Sequence, residues 1–292
     1  MEFSNGSLST VLAVTSGFLF ALSIQLQNLG LQKANPRVGA VVSIAATTLV
    51  YWLAAPFLLE PHYWLTWGTI CFFLVGLFRP ALSVNFAMAS VKYMGPTLTS
   101  AIAATNPIFG AAFAIIILGE ILTLPIACGT LAVVLGIIIG SLKSGNLGRN
   151  WPLWALSLPL GAAFFRASGH PLTMVGYETV PSPYFAGLVS YSTSFVIAMT
   201  VYGLQKHKLP KLTANYTWFA IAGVVNGISL YSLNYALKIG QLLTVSPIVA
   251  CSPVFTMLLG AFVFKKEVIT WQIIAAMGSV TIGVIIVASR WG

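Results

Sequence analysis

Two arginines and a histidine sit where a chain can least easily hold charge. Arg79 and Arg166 lie near the middle of long apolar runs, and His170 follows Arg166 by four residues, on the same helical face. An arginine at the centre of a membrane helix costs about 3 kcal/mol even on the lenient insertion scale, so such residues normally face a cavity or a partner. The chain has no aspartate, and its five glutamates fall at the ends of apolar runs or between them. Neither guanidinium therefore has a carboxylate at its own depth. The chemistry this predicts is recognition of an anionic group by a planar, bidentate fork. The plainer reading is that both arginines donate to helix carbonyls or snorkel. His170 reads either as a proton relay or as a hydrogen-bonded interior residue.

Neutral polar residues in the same runs extend the candidate site. Gln25 and Asn28, in the first run, fall at nearly the depth of Arg166 and His170, and Asn85, Asn226 and Asn234 lie in the third and eighth. They can contact substrate or simply bond helix to helix. Pro107 and Pro253 fall near the centres of the fourth and ninth runs, and Pro80 follows Arg79 directly. Proline removes a backbone donor and clashes with the preceding turn, so each position is an expected kink and a candidate hinge. Glu120 and Glu267, at the ends of the fourth and ninth runs, read as structural or capping residues, with gating the lesser alternative. Nothing in the sequence has the pattern of a nucleotide loop, a zinc motif, a nucleophile elbow or a carboxylate dyad. The expectation is no catalytic residue, no metal and no cofactor.

The elements that must position these residues are membrane helices. Apolar residues make up 58% of the chain and charged residues 7%, against about 25% charged in soluble domains. A soluble core cannot hide that surface, whereas a bilayer accepts it. Runs at about 7–30, 39–58, 64–92, 95–118, 124–142, 151–175, 183–205, 215–239, 242–264 and 268–289 are each long enough to span. They lack the alternation of barrel strands. The first reads as an ordinary span, not a cleaved signal peptide, because it lacks a basic leader. The net charge of +9 does not point to nucleic acid, since lysine and arginine are spread through the short gaps. Cys71, Cys128 and Cys251 have no CxxC spacing and read as buried small residues.

The chain also repeats itself. Ala87-Met88-Ala89-Ser90-Val91-Lys92 resembles Leu233-Asn234-Tyr235-Ala236-Leu237-Lys238, Asn106-Pro107-Ile108-Phe109 resembles Ser252-Pro253-Val254-Phe255, and Glu120-Ile121-Leu122-Thr123 resembles Glu267-Val268-Ile269-Thr270. The offsets are 146, 146 and 147, and 146 is half the chain length. Residues 1–146 and 147–292 then form two five-helix units. Because five is odd, the second unit enters the membrane inverted, an arrangement typical of secondary transporters.

These paired segments, with Gly95-Pro96-Thr97-Leu98, Leu118-Gly119-Glu120, Ser246-Pro247-Ile248 and Phe264-Lys265-Lys266-Glu267, resemble the EamA-type transporters of the drug/metabolite transporter superfamily. The resemblance covers nearly the whole chain as two copies. The second copy has one extra residue and Lys265-Lys266 where the family usually has glycine before the glutamate. The resemblance implies a ten-helix basket around a cavity lined by helices 1, 3, 4, 6, 8 and 9. It does not imply a substrate.

The expected fold is thus all-α, a polytopic membrane protein of about ten helices in two inverted repeats. The expected function is secondary transport or export of a small metabolite, anionic or carboxylate-bearing, by alternating access, with a small molecule and the bilayer as partners, no nucleic acid, and a monomeric or homodimeric state. A membrane-embedded enzyme or binding protein for a lipid or prenyl-linked substrate is the alternative, and a channel the third. The expected location is a bacterial plasma membrane. Ten short-loop lysines and arginines fall on one side against two on the other, which predicts both termini outside.

Overall fold

The computed structural model describes residues 5–31, 34–83, 85–87, 89–90, 93, 99, 102–141, 152–204, 216–264 and 271–288. The basic turns containing Lys33, Lys92, Lys143, Arg149, Lys206–Lys211 and Lys265–Glu267 lie outside the described residues. All regular structure among the described residues is helical. In chain order the helices are α1 (Asn5–Leu31), α2 (Pro36–Leu58), α3 (Trp67–Gly76), α4 (Asn106–Leu118), α5 (Leu124–Ser141), α6 (Ser157–Tyr177), α7 (Pro183–Leu204), α8 (Thr217–Ile239), α9 (Leu242–Val249), α10 (Ser252–Leu258) and α11 (Trp271–Ala288).

The solvent logic of the molecule is inverted. Large apolar side chains such as Leu53, Phe57, Ile116, Leu124 and Trp271 point outward, as lipid-facing helices require. Small and hydroxylated residues fill the interior. Ser9, Ser16 and Ser23, seven residues apart on α1, bond across to Ala236, Ser229 and Ala222 of antiparallel α8. Close approach of backbones and interhelical hydrogen bonds replace the hydrophobic drive that lipid cannot supply. Long helices Asn5–Leu31, Val38–Leu58, Pro183–Leu204, Thr217–Ile239 and the tract Leu242–Val263 are each apolar enough to cross a membrane. Helix α6 has the length but not the composition, because Arg166, Ser168, Gly169 and His170 occupy its centre.

The two halves are related contact by contact. A side chain on Gly76 would overlap the carbonyl oxygen of Ser190, and one on Gly223 would overlap that of Ser43; the two pairs are related by a shift of 147 residues. Ser194 donates to the carbonyl of Gly76 and Thr47 to that of Gly223, again 147 apart. Gly30 packs on the ring of Phe219, and Gly176 on that of Phe72. On the far side, Gly136 meets the carbonyl of Ala276 while Gly283 meets that of Gly129. This last pairing shows α5 and α11 running antiparallel. The two-fold that exchanges them therefore lies across the helix axes, in the membrane plane, which is the inverted repeat expected from the odd span count.

The spans carrying proline are broken rather than gently kinked. α4 begins at Asn106 and α10 at Ser252, each with its proline in the first turn, where the missing N–H costs nothing. The residues before them adopt nearly identical conformations: Thr105 has φ −72°, ψ −7° and Cys251 has φ −73°, ψ −4°. In the third span, α3 runs into a π turn over Leu77–Leu82 in which Arg79 is extended, at φ −126° and ψ 119°. The residue before proline is driven out of the helical region by the ring that follows. Ser194 also donates to the carbonyl of Arg79 at 3.2 Å, satisfying the opened turn.

A second π turn, Leu259–Val263, follows α10. A π turn is a one-residue insertion in a helix. The repeat offset falls from 147 at Gly76 and Gly223 to 146 at Thr105 and Cys251 across the first π turn, and the second accounts for its return to 147 at the glutamates. The first copy of that helix instead ends at Gly119, with φ 67°, the left-handed cap for which glycine is suited.

Glu120 is a cap, in agreement with its structural reading. Its two carboxylate oxygens accept from the backbone N–H groups of Leu242 and Leu243, at 2.7 and 2.8 Å. These are orphan donors at the start of α9, where the helix dipole also favours an anion. The contact ties the end of α4 in one half to the start of α9 in the other. One reading needs correction: Cys71 and Cys251 are buried, but Cys128 is exposed, on the outer surface of α5.

Candidate functional site

The π turn after α3, the breaks before α4 and α10, and the centre of α6 enclose one cavity of about 430 Å³. Of the residues singled out from sequence, Arg79, Arg166, His170, Asn234, Pro107 and Pro253 line it. Helix α6 delivers Arg166 and His170 on one face. The turn at Arg79-Pro80 swings the backbone so that the Arg79 side chain packs across Gly169, beside His170; a side chain at Gly169 would strike the Arg79 methylenes. A larger residue there would push the Arg79 side chain out of this position. Arg166 is exposed on α6 and lines the cavity. Among the described residues no carboxylate lies within ion-pair distance of either guanidinium; the one ion pair is His62 with Glu60, between α2 and α3.

The remaining candidates lie elsewhere. Gln25 is buried but turned away, its amide donating to the carbonyl of Thr256 at 2.7 Å. Asn28 is exposed, one turn beyond the cavity on α1, and Asn85 is exposed as well. Asn226 donates to the hydroxyl of Tyr191, which does line the cavity. Asn234, on the lining, also bonds the carbonyl of Pro183 at 3.2 Å. Phe20 and Ile24 are the residues that α1 presents to the cavity. The lining extends beyond helices 1, 3, 4, 6, 8 and 9 to Ile137 of α5 and to Ser190 and Tyr191 of α7.

Three lining side chains carry polar atoms that are closed off from water and unpaired among the described residues: His170 Nδ1, Asn106 Oδ1 and Ser246 Oγ. Such a group costs roughly 1–3 kcal/mol. Ser246 is held against Gly110, one turn along α4 from Asn106, where any larger residue would overlap its hydroxyl. The sequence reading does not single out the side chains of Asn106 and Ser246. Their signal is the Asn-Pro dipeptide at 106 and the Ser-Pro dipeptide at 246, since the residue beside a proline break faces the opening.

A helical membrane protein whose inverted halves close around a cavity has an architecture typical of secondary transporters. The EamA-like transporter family model matches the chain twice, over residues 7–142 and 153–289. The chain belongs to the EamA-like transporter family. No curated protein matches it. Among 29 matching chains of solved structures, one crystal structure of a protein superposes with a TM-score of 0.81 at 14% identity, covering 97% of this chain and 98% of its own. At that identity the likeness speaks for the fold alone. The protein is an integral membrane protein of the drug/metabolite transporter superfamily.

Proposed function

We propose that this protein is a secondary transporter that carries a small anionic metabolite, a carboxylate or a phosphate, by alternating access. The observation that carries the reading is the pair of guanidiniums at one cavity with no carboxylate beside them among the described residues. Two neighbouring cations at one cavity without a counter-ion repel each other, and an anionic substrate relieves that repulsion. Arg79 and Arg166 bind the anion, and His170 beside them supplies a donor or a proton route. Pro107 and Pro253, with Pro80, are the hinges about which the cavity changes its opening. The units that move are residues 1–146 and 147–292, acting as monomer or homodimer in a bacterial plasma membrane.

The test is flux into proteoliposomes loaded with a panel of radiolabelled carboxylates, phosphates, neutral polyols and amines. Saturable, vectorial uptake of an anion is the expected result. Uptake confined to amines or neutral solutes would overturn the assignment, and chemical turnover of a lipid in the same vesicles would point to an enzyme.

A further inference from the structure

The cavity has a second chemical character besides its charge. Pro107 and Pro253 supply no N–H to the carbonyls of Ala103 and Val249, four residues earlier. Both of those residues line the cavity, related by the repeat at an offset of 146. The carbonyl of Val249 packs against Gly17 of α1, which leaves that of Ala103 as the freed acceptor on the cavity side. Beside these carbonyls stands the unpaired Oδ1 of Asn106. The helix breaks thus gather hydrogen-bond acceptors, and Ser246 and Ser252 add hydroxyls that turn either way. A simple anion satisfies the arginines and leaves these acceptors empty. A substrate that fills both needs donors of its own.

The donor group is decided by charge. Among the described residues no carboxylate lines the cavity. An ammonium would add a third cation to Arg79 and Arg166 and meet only neutral dipoles. A hydroxyl donates without that repulsion. We propose that the substrate is a hydroxylated small anion, such as a sugar acid or a polyol phosphate. Its hydroxyls are read by Asn106 Oδ1 and the carbonyl of Ala103 while the guanidiniums hold its charge. This rests on the anion reading above and narrows it.

The test compares matched pairs for thermal stabilisation of the purified protein in detergent. Threonate is set against butyrate, and glycerol 3-phosphate against propyl phosphate, with threitol and glycerol as neutral controls. The expected result is stabilisation by threonate or glycerol 3-phosphate at roughly tenfold lower concentration than by its unhydroxylated partner, the scale of one or two hydrogen bonds. The neutral polyols should have no effect. Asn106→Leu, or Asn106→Ser should leucine not fold, should erase the preference while leaving anion binding in place; Arg79→Gln should weaken the binding of both members of a pair alike, by about ten- to a hundred-fold. Equal stabilisation by hydroxylated and plain anions would overturn the hydroxyl subsite and leave the anion reading standing. Stabilisation by polyols and by no anion would overturn the anion reading itself. The carboxylate and phosphate arms separate the two sources of charge.

Discussion

Arg166 and Phe20 occupy the same position in the two halves of the protein, 146 residues apart, and both line the cavity. One presents a guanidinium and the other a hydrocarbon ring. The same holds one turn on, where His170 matches Ile24. Counting on from the matched pair Gly76 and Gly223, Arg79 stands where Asn226 stands, and only the arginine precedes a proline. The helix packing obeys the two-fold; the cavity does not. Its cations all lie on the wall made by α3 and α6, and the equivalent wall of α1 and α8 is neutral. Duplication built the scaffold, and departures from it made a site with one charged side.

That asymmetry makes the arginines separately testable. Arg79→Gln and Arg166→Gln should each lower anion transport by about ten- to a hundred-fold, the range of a lost charge-assisted hydrogen bond, with expression and elution profile retained. Wild-type flux of the native substrate in both variants would remove the anion-binding role.

The cap at Glu120 should be a stability element. Glu120→Ala leaves the N–H groups of Leu242 and Leu243 without their acceptors and should cost about 1–2 kcal/mol. Glu120→Gln, which keeps one acceptor oxygen, should cost less. Thermal unfolding in detergent orders the three proteins, and an unchanged melting temperature in Glu120→Ala would show that the contact contributes nothing.

Glycines that face carbonyls should tolerate nothing larger. Gly76→Ala and Gly223→Ala each push a methyl into the backbone of a neighbouring helix, and overpacking of this kind costs about 1–3 kcal/mol or more. Gly278→Ala, with no atom near its added methyl, should behave as wild type or slightly better, since alanine is the better helix former. Equal melting temperatures for all three variants would contradict the close helix approach.

Cationic dyes should not be substrates. A cavity with two guanidiniums and, among the described residues, no carboxylate repels a quaternary ammonium. Purified protein in proteoliposomes should show little or no proton-driven ethidium efflux. Coupling should be facilitative, by exchange, or through His170. Robust efflux driven by a proton gradient would refute this.

Orientation can be read from fusions. Ten basic residues in the short turns of one side against two on the other predict the Lys206–Lys211 turn in the cytoplasm and both termini outside. Green fluorescent protein fused at Gly292 should be dark and, inserted in the Lys206–Lys211 turn, bright. The reverse pattern would mean that another determinant overrides the charge bias.

Much of this protein was determined by the sequence alone. Hydropathy dictates helices and a bilayer, because no other medium accepts such a composition. A repeat with an odd number of spans dictates inversion, and paired prolines dictate where spans must open, since a missing N–H is a local fact. Glu120 at a span end reads as a cap for the same reason. What only the tertiary structure decided is which side chains at a given depth face inward. Ile24 and Gln25 are one residue apart, hence about 100° apart around α1; Ile24 lines the cavity while Gln25 turns to Thr256. In a helix apolar on every face, nothing in the one-dimensional pattern sets that rotation. It is fixed by small residues that let neighbouring helices close in, Gly17 against Val249 and Gly30 against Phe219. The extra residues absorbed by the two π turns are likewise visible in sequence only as a shift of offset from 147 to 146 and back. Where each extra residue bulges depends on which turn the surrounding helices can accommodate, and at the first of them the accommodation aims Arg79 into the cavity.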